Sequence, residues 1–448
     1  MQGVSPFGGA LFYALRKIME GKLMKKLGIL LLAAAFAVFG LFSFAACNEE
    51  TLGPGDDPIV TPGPADPGQP EEPTPPDEPE ATEGLVFELI TAENSVGFEA
   101  FLGADFEDCY VCIGLTVAEE NVVIPSTYNG LPVHGFYEGW MYDMSSDIAK
   151  GITSLYFPDS IQFVFVADET FENLREIRLP RNANAVIQFD DFFSGCAFYN
   201  DPSNWDNGAL YMDDWLLATN GDLPEEYTIK QGTVGIAFGA FAQQDVESAK
   251  NHVKKVTVPD SVQALFGSFV GCVSLEEVVL SDSLSSIGYY AFVGCFSLES
   301  ISIPDSVTSI DYYAFSDSGL TNVTIPDSVT SIGYGTFSSC DSLTSIDIPD
   351  SVTTIVANAF YECDSLMSIM IPDSVTSIGR EAFLRCSSLT SVVIGDSVTS
   401  IGSEAFAWCG SLNSVYYRGS EEEWNEIEVS WGNDDLLNAE IVFNYTGE

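Results

Sequence analysis

Leu343-Thr344-Ser345-Ile346-Asp347-Ile348-Pro349-Asp350-Ser351-Val352-Thr353-Thr354-Ile355-Val356-Ala357-Asn358-Ala359-Phe360-Tyr361-Glu362-Cys363 is one unit of a pattern that returns along the chain. Within it, Leu343 to Ile348 alternates apolar and polar residues as a strand does. Pro349 stops the strand, because it has no N–H for a ladder, and Asp350-Ser351 forms the turn. Val352 and Ile355 make a second short strand, and Ala359-Phe360-x-x-Cys363 reads as a tight helical turn. The phenylalanine of this unit recurs as Phe269, Phe292, Phe315, Phe337, Phe360, Phe383 and Phe406, at spacings of 23, 23, 22, 23, 23 and 23. A unit of this size cannot bury its apolar face alone and does so by stacking on its neighbours, which predicts a β-rich repeat solenoid.

Working outward, the regular coils run from Val256 to about Tyr417. The array begins earlier, at Val122-Val123-Ile124-Pro125-Ser126-Thr127, and passes through degenerate units around Leu155 to Ile161, Phe171 to Pro180, and Phe193 with Cys196. The period breaks near 197–233, where Trp205, Trp215 and Asn220-Gly221 predict an inserted hairpin. The organisation is thus 85–121 as a β-rich N-terminal cap, 122–416 as solenoid with this insertion, and 417–448 as a C-terminal cap. In the last segment Trp424, Ile427, Trp431, Leu436, Leu437, Ile441 and Phe443 are expected to fold over the open end.

The segment before 85 carries a different message. Lys22, Lys25 and Lys26 precede an apolar run from Leu27 to Ala46 that closes in Phe44-Ala45-Ala46-Cys47. It resembles a bacterial lipoprotein signal with Cys47 as the lipidated residue, although Phe44 stands where leucine is usual. The alternative is an uncleaved membrane helix, since the run is long enough to span a bilayer; both readings export the rest. Residues 1–23 fit no targeting logic, and Met24 is read as the true start, so 1–46 is extension plus signal. Residues 47–84 are rich in proline and acid, with no basic residue. That composition makes a disordered tether reaching at most ~115 Å in the extended polyproline form.

Sixty-six acidic against sixteen basic side chains give a formal charge of −50, which repels phosphate backbones, so no nucleic-acid partner is expected. The two histidines, His134 and His252, are too far apart for a helical zinc-protease motif, and no G-x-x-x-x-G-K-[ST] or G-x-S-x-G string occurs. No cofactor and no catalytic residue are assigned.

The I-P-x-S-V-x-x-I-G-x-x-A-F-x-x-C-x-x-L-x-x-I units, the Ile124-Pro125-Ser126-Thr127-Tyr128-Asn129-Gly130 string and the closing Tyr417-Arg418-Gly419-x-x-x-x-Trp424 segment resemble the BspA-type leucine-rich-repeat surface proteins of bacteria. The resemblance runs from about Leu85 to the end. It implies display at the cell surface and adhesion to an extracellular or cell-surface protein, with a glycan as another partner class, and it transfers no ligand. A carbohydrate-active or hydrolytic enzyme in region 197–255, where acids, Trp205 and Trp215 coincide, and a purely structural envelope protein are the alternatives.

Four repeated positions carry candidate chemistry. Cys272, Cys295, Cys340, Cys363, Cys386 and Cys409 share one slot, filled by Ser318 in the shortened unit, and read as a buried reduced ladder. Cys109 and Cys112 sit in a strand whose alternation sends them to opposite faces, against redox or metal pairing. Asp260, Asp282, Asp305, Asp327, Asp350, Asp373 and Asp396 form a file at the turn, reading as acceptors for turn N–H groups, with bridging calcium as the sharper idea. Tyr289, Tyr290, Tyr312, Tyr313 and Tyr334 cluster at the x-x positions before Ala-Phe, as a recognition surface or as packing between coils. On the strand face, Asp347, Met370, Val393 and Tyr416 form the alternative binding surface.

Overall fold

The computed structural model describes residues 81–91, 107–116, 119–138, 146–166, 171–182, 184–187, 195–242 and 252–447. Cys47 and its apolar run, Met24, the tether up to residue 80, and Phe193 lie outside the described residues. The rest winds into a β-solenoid of about 13 turns with roughly 23 residues per coil.

Most coils contribute one strand to each of two parallel ladders, and a few, as at Ser302 and Ile332, only an isolated bridge. The longer strands, from the Leu-x-x-Ile-x-Ile stretch, pair in register: Ser368–Ile371 with Ser391–Ile394, that with Ser414–Tyr417, and that with Glu440–Val442. Two-residue strands such as Thr354–Ile355, Ser377–Ile378 and Ser400–Ile401 build the second ladder. In-register pairing follows from the period, because only a shift by one whole coil keeps every apolar residue on the inner face. The inward residues form one core from Cys112 to Leu436.

The third side of each coil is a run of turns and not a helix. Two residues per coil, the one before Ala and the one before Cys, take left-handed backbone angles: Asn358 and Glu362 at φ 59° and 56°, Glu381 and Arg385 at 56° and 63°. A left-handed residue cannot continue a right-handed helix. Their placement turns alternate N–H groups to the next coil, so that Phe337 N–H reaches Ala359 O at 2.9 Å and Phe360 N–H reaches Ala382 O at 2.8 Å. Other N–H groups close turns within the coil, as Cys340 N–H does on Phe337 O.

Stacking places like on like. The phenylalanine rings from Phe241 to Phe406 lie face to face at centroid separations of 4.9 to 5.6 Å. At the first end, Leu85–Ile90 runs antiparallel to Cys109–Leu115, which pairs in parallel with Leu131–Glu138 and so starts the second ladder. Over 205–219 the chain makes a three-stranded meander, and its first turn is Asn207-Gly208, at φ 49° and 87°, rather than Asn220-Gly221. Asn220 instead accepts the Asp222 N–H in a local turn.

At the far end, Glu428–Val429 and Glu440–Val442 extend the two ladders by one more coil. Trp424, Ile427 and Leu436 are buried there, and Ile441 and Phe443 pack on the core. Trp431 and Leu437 do not cover the end as expected but face solvent. Their neighbours along the chain supply the closure, so nothing remains for them to bury against.

Candidate interaction surfaces

Four of the five tyrosines, Tyr289, Tyr290, Tyr313 and Tyr334, join in one aromatic file on the turn side of the coils. Tyr290 stacks on Tyr313 with centroids 5.6 Å apart, and Tyr313 meets Tyr334 edge-on at 5.3 Å. Tyr289 is buried against Phe266 at 5.2 Å, and Tyr290 reaches Phe238 at 6.4 Å. Burial pushes the Tyr289, Tyr290 and Tyr313 hydroxyls well above the ordinary phenol range. Tyr312 alone of the five is exposed, and Tyr290, Tyr313 and Tyr334 are half-buried. Tyr290 and Tyr313 occupy the left-handed position before Ala, which turns their rings along the stack.

The strand face is different, since its outward side chains stand on the open side of the sheet and are covered only in part, by Tyr445 and Arg418. Register sets Met370 beside Val393, Val393 beside Tyr416, and Tyr416 beside Val442. Met370 and Val442 are exposed, and Val393 and Tyr416 half-buried. Asp347 follows Thr324 one coil earlier on the same face. Tyr416 packs against Tyr445 at 4.7 Å. Arg418 reaches across this face, with Nη1 on the Asp373 carboxylate at 3.0 Å and Nη2 near Met370 Sδ at 3.7 Å.

At the aspartate turns the serine makes the repeated bond. Ser306, Ser328, Ser351 and Ser374 each donate to a carbonyl of the preceding coil, on Leu284, Val307, Val329 and Val352, at 2.5 to 2.7 Å. The aspartates point outward and are exposed. The contacts described for the file are with side chains: Asp260 accepts from Ser281, Asp373 from Arg418 and Asp396 from Ser397. Outward, solvated carboxylates at one-coil intervals need no turn N–H, because the serine already ties the turn to its neighbour.

The thiols of Cys272, Cys295, Cys340, Cys363, Cys386 and Cys409 are buried and free. Each donates to the carbonyl of a core phenylalanine one coil back, as Cys363 Sγ does to Phe337 O at 3.1 Å. Burial pushes the Cys340 and Cys409 thiols up to about 12. Cys109 and Cys112 belong to two different buried clusters, on opposite faces of their strand. Desolvation moves Cys109 up to about 11 and Cys112 to about 12, away from the thiolate that redox and metal chemistry require.

In the 197–255 region the two tryptophans serve packing. Trp215 is buried with Nε1 donating to Pro180 O at 2.7 Å, and Trp205 Nε1 donates to Tyr199 O at 2.8 Å. The cleft beside Trp215, between Arg178, Pro180 and Asp214, holds about 40 Å³, little more than one water. No group of three or more potential metal ligands clusters among the described residues.

These features define a leucine-rich-repeat solenoid with a partly open parallel sheet on one side and a tyrosine-bearing turn edge on another. The family described as BspA type leucine rich repeat region matches in six copies, over residues 246–355 and 308–427. That stretch of the chain belongs to the BspA-type leucine-rich repeats. Among solved structures, a leucine-rich cell surface protein of Faecalibacterium prausnitzii is 22% identical, with 79% of this chain and 98% of that one covered and a TM-score of 0.30. A leucine-rich repeat protein of Bacteroides ovatus is 21% identical, covering 81% and 99%, with a TM-score of 0.26. One from Eubacterium ventriosum is 13% identical, covering 76% and 91%, with a TM-score of 0.39. At these scores the family assignment rests on the repeat units and not on the superpositions. No curated protein matches the sequence.

Proposed function

We propose that the protein is exported, lipid-anchored at Cys47, and binds another macromolecule at the cell surface through the strand face of its solenoid, without catalysis. The observation that carries this reading is the file Met370, Val393, Tyr416 and Val442. It is a partly exposed apolar strip, with Met370 and Val442 open to solvent and Val393 and Tyr416 partly covered, on a parallel sheet whose other outward positions are mostly Ser, Thr, Asn and Asp. An aromatic and aliphatic strip rimmed by polar groups is the composition of an interface core. The partner is an extracellular or surface protein; a glycan is the alternative ligand.

The test is capture of surface and matrix proteins, beside a glycan array, by the protein and by Met370→Ser, Val393→Ser, Tyr416→Ser in combination. Loss of capture by about 2 kcal/mol or more, with cooperative unfolding retained, supports the strand face. Unchanged capture refutes it. The tyrosine edge is a second reading, favoured by the exposure of Tyr312 at 40%. Replacing Tyr289, Tyr290, Tyr312, Tyr313 and Tyr334 by Ser is expected mainly to lower stability, because their rings fill space between coils; lost capture at unchanged stability would move the site there.

A further inference from the structure

The last complete coil and the C-terminal cap together form a cleft on the turn edge. Trp408 and Trp431 stand on its walls, 69% and 70% exposed, the two most exposed large apolar side chains described. Between them lies a space of about 310 Å³ whose remaining wall includes Glu404, Asp434 and Asp435 and no lysine or arginine.

The fold holds this arrangement in place. Trp408 occupies the left-handed position before Cys, at φ 60°, where earlier coils have Gly271, Gly294, Asp317, Ser339, Glu362 and Arg385. A bulky residue there is uncommon and carries backbone strain. Trp431 sits where Arg380 and Ser403 sit in the two preceding coils: its carbonyl accepts the Glu404 N–H at 2.9 Å, as theirs accept those of Asn358 and Glu381. Buried Asn433 fixes the loop, accepting the Phe406 N–H at 3.0 Å and donating to Gly402 O and Ser430 O at 2.9 Å each. The indoles are therefore presented on a rigid frame, the condition under which an aromatic cleft binds with little ordering cost.

We propose that this cleft receives a cationic side chain, lysine or arginine, from a basic segment of a partner protein. Two indole faces and three carboxylates are all electron-rich, and a cation is the group that each of them attracts. The wall offers no cationic side chain to compete for them, and the chain's charge of −50 draws a basic segment toward it from a distance. The site is distinct from the strand face and stands or falls without it.

The experiment is fluorescence anisotropy of the full protein with a labelled peptide of three arginines spaced by glycine and serine. Its counterpart carries citrulline, which keeps the shape and removes the charge. The arginine peptide is expected to bind and the citrulline peptide to bind at least tenfold more weakly. Trp408→Ala and Trp431→Ala, which leave the net charge unchanged, are each expected to weaken binding about tenfold. Asp434→Asn with Asp435→Asn should weaken it similarly and flatten its dependence on salt. Thermal unfolding confirms that each variant is folded, and the asparagine pair, with Asp434 exposed and Asp435 partly so, decides the matter if a tryptophan variant is not. Equal binding by the tryptophan variants would assign the peptide to the acidic surface at large and overturn the proposal. So would equal affinity for citrulline, displacement by a neutral oligosaccharide, or a self-association that Trp408→Ala abolishes.

Discussion

Phe337→Ala tests the stack at its centre. The ring is fully buried, between Phe315 at 5.5 Å and Phe360 at 5.6 Å, nearly parallel to both. Removing it loses about 1.5–3 kcal/mol of apolar transfer, and the two ring pairs add about 0.5–1.5 kcal/mol each. The result falls near the ~3–5 kcal/mol seen for buried phenylalanine truncations. Collapse of the cavity is resisted because the backbone on either side is tied to its neighbours, with Phe337 N–H on Ala359 O and Cys363 Sγ on Phe337 O. Ser345→Ala, on the exposed side of its strand, is the control and should stay within about 0.5 kcal/mol. Urea unfolding followed by circular dichroism measures both. Equal effects of the two substitutions, or a loss below about 1 kcal/mol for Phe337→Ala, would refute the inward and outward assignment of the coil.

The nine described free cysteines are expected to resist alkylation at pH 8 in the native protein and to react fully after denaturation without reductant, counted by mass spectrometry; early reaction would place thiols at the surface. Ser374→Ala should cost about 1 kcal/mol in the same urea assay, since its hydroxyl ties one coil to the carbonyl of the last, and a neutral result would show the serine file to be dispensable. Burial raises the Asp311 carboxyl from 3.8 to about 6, so the folded state binds its proton more tightly than the unfolded one. The linkage therefore lowers stability as pH rises from about 4 to about 6 and leaves the penalty constant above; Asp311→Asn should remove that slope, and an unchanged profile would contradict it. Cys47→Ala should abolish labelling of the protein by a fatty-acid analogue, and labelling that persists would remove the lipid anchor.

The position of a residue in a repeat was enough to place the phenylalanine file, the buried thiols and the inward isoleucines. In a stack that advances by one whole coil, each side chain meets its own counterpart about 23 residues away, so the period alone names its neighbours. That reasoning stops where the counterpart is missing or the partner comes from elsewhere. Tyr289 and Tyr290 find Phe266 and Phe238, aromatic side chains that the repeat unit does not supply, and rings that read as outward recognition residues are partly consumed by packing. The repeated Asp-Ser turn could be read as an aspartate device, yet only the three-dimensional path of the turn aims the serine hydroxyl at the previous coil and the carboxylate at water. Trp431 lies outside the repeat, where no period applies; its place opposite Trp408 is set by Asn433 and by the carbonyl that takes the Glu404 N–H, contacts that exist only once the cap has closed on the last coil.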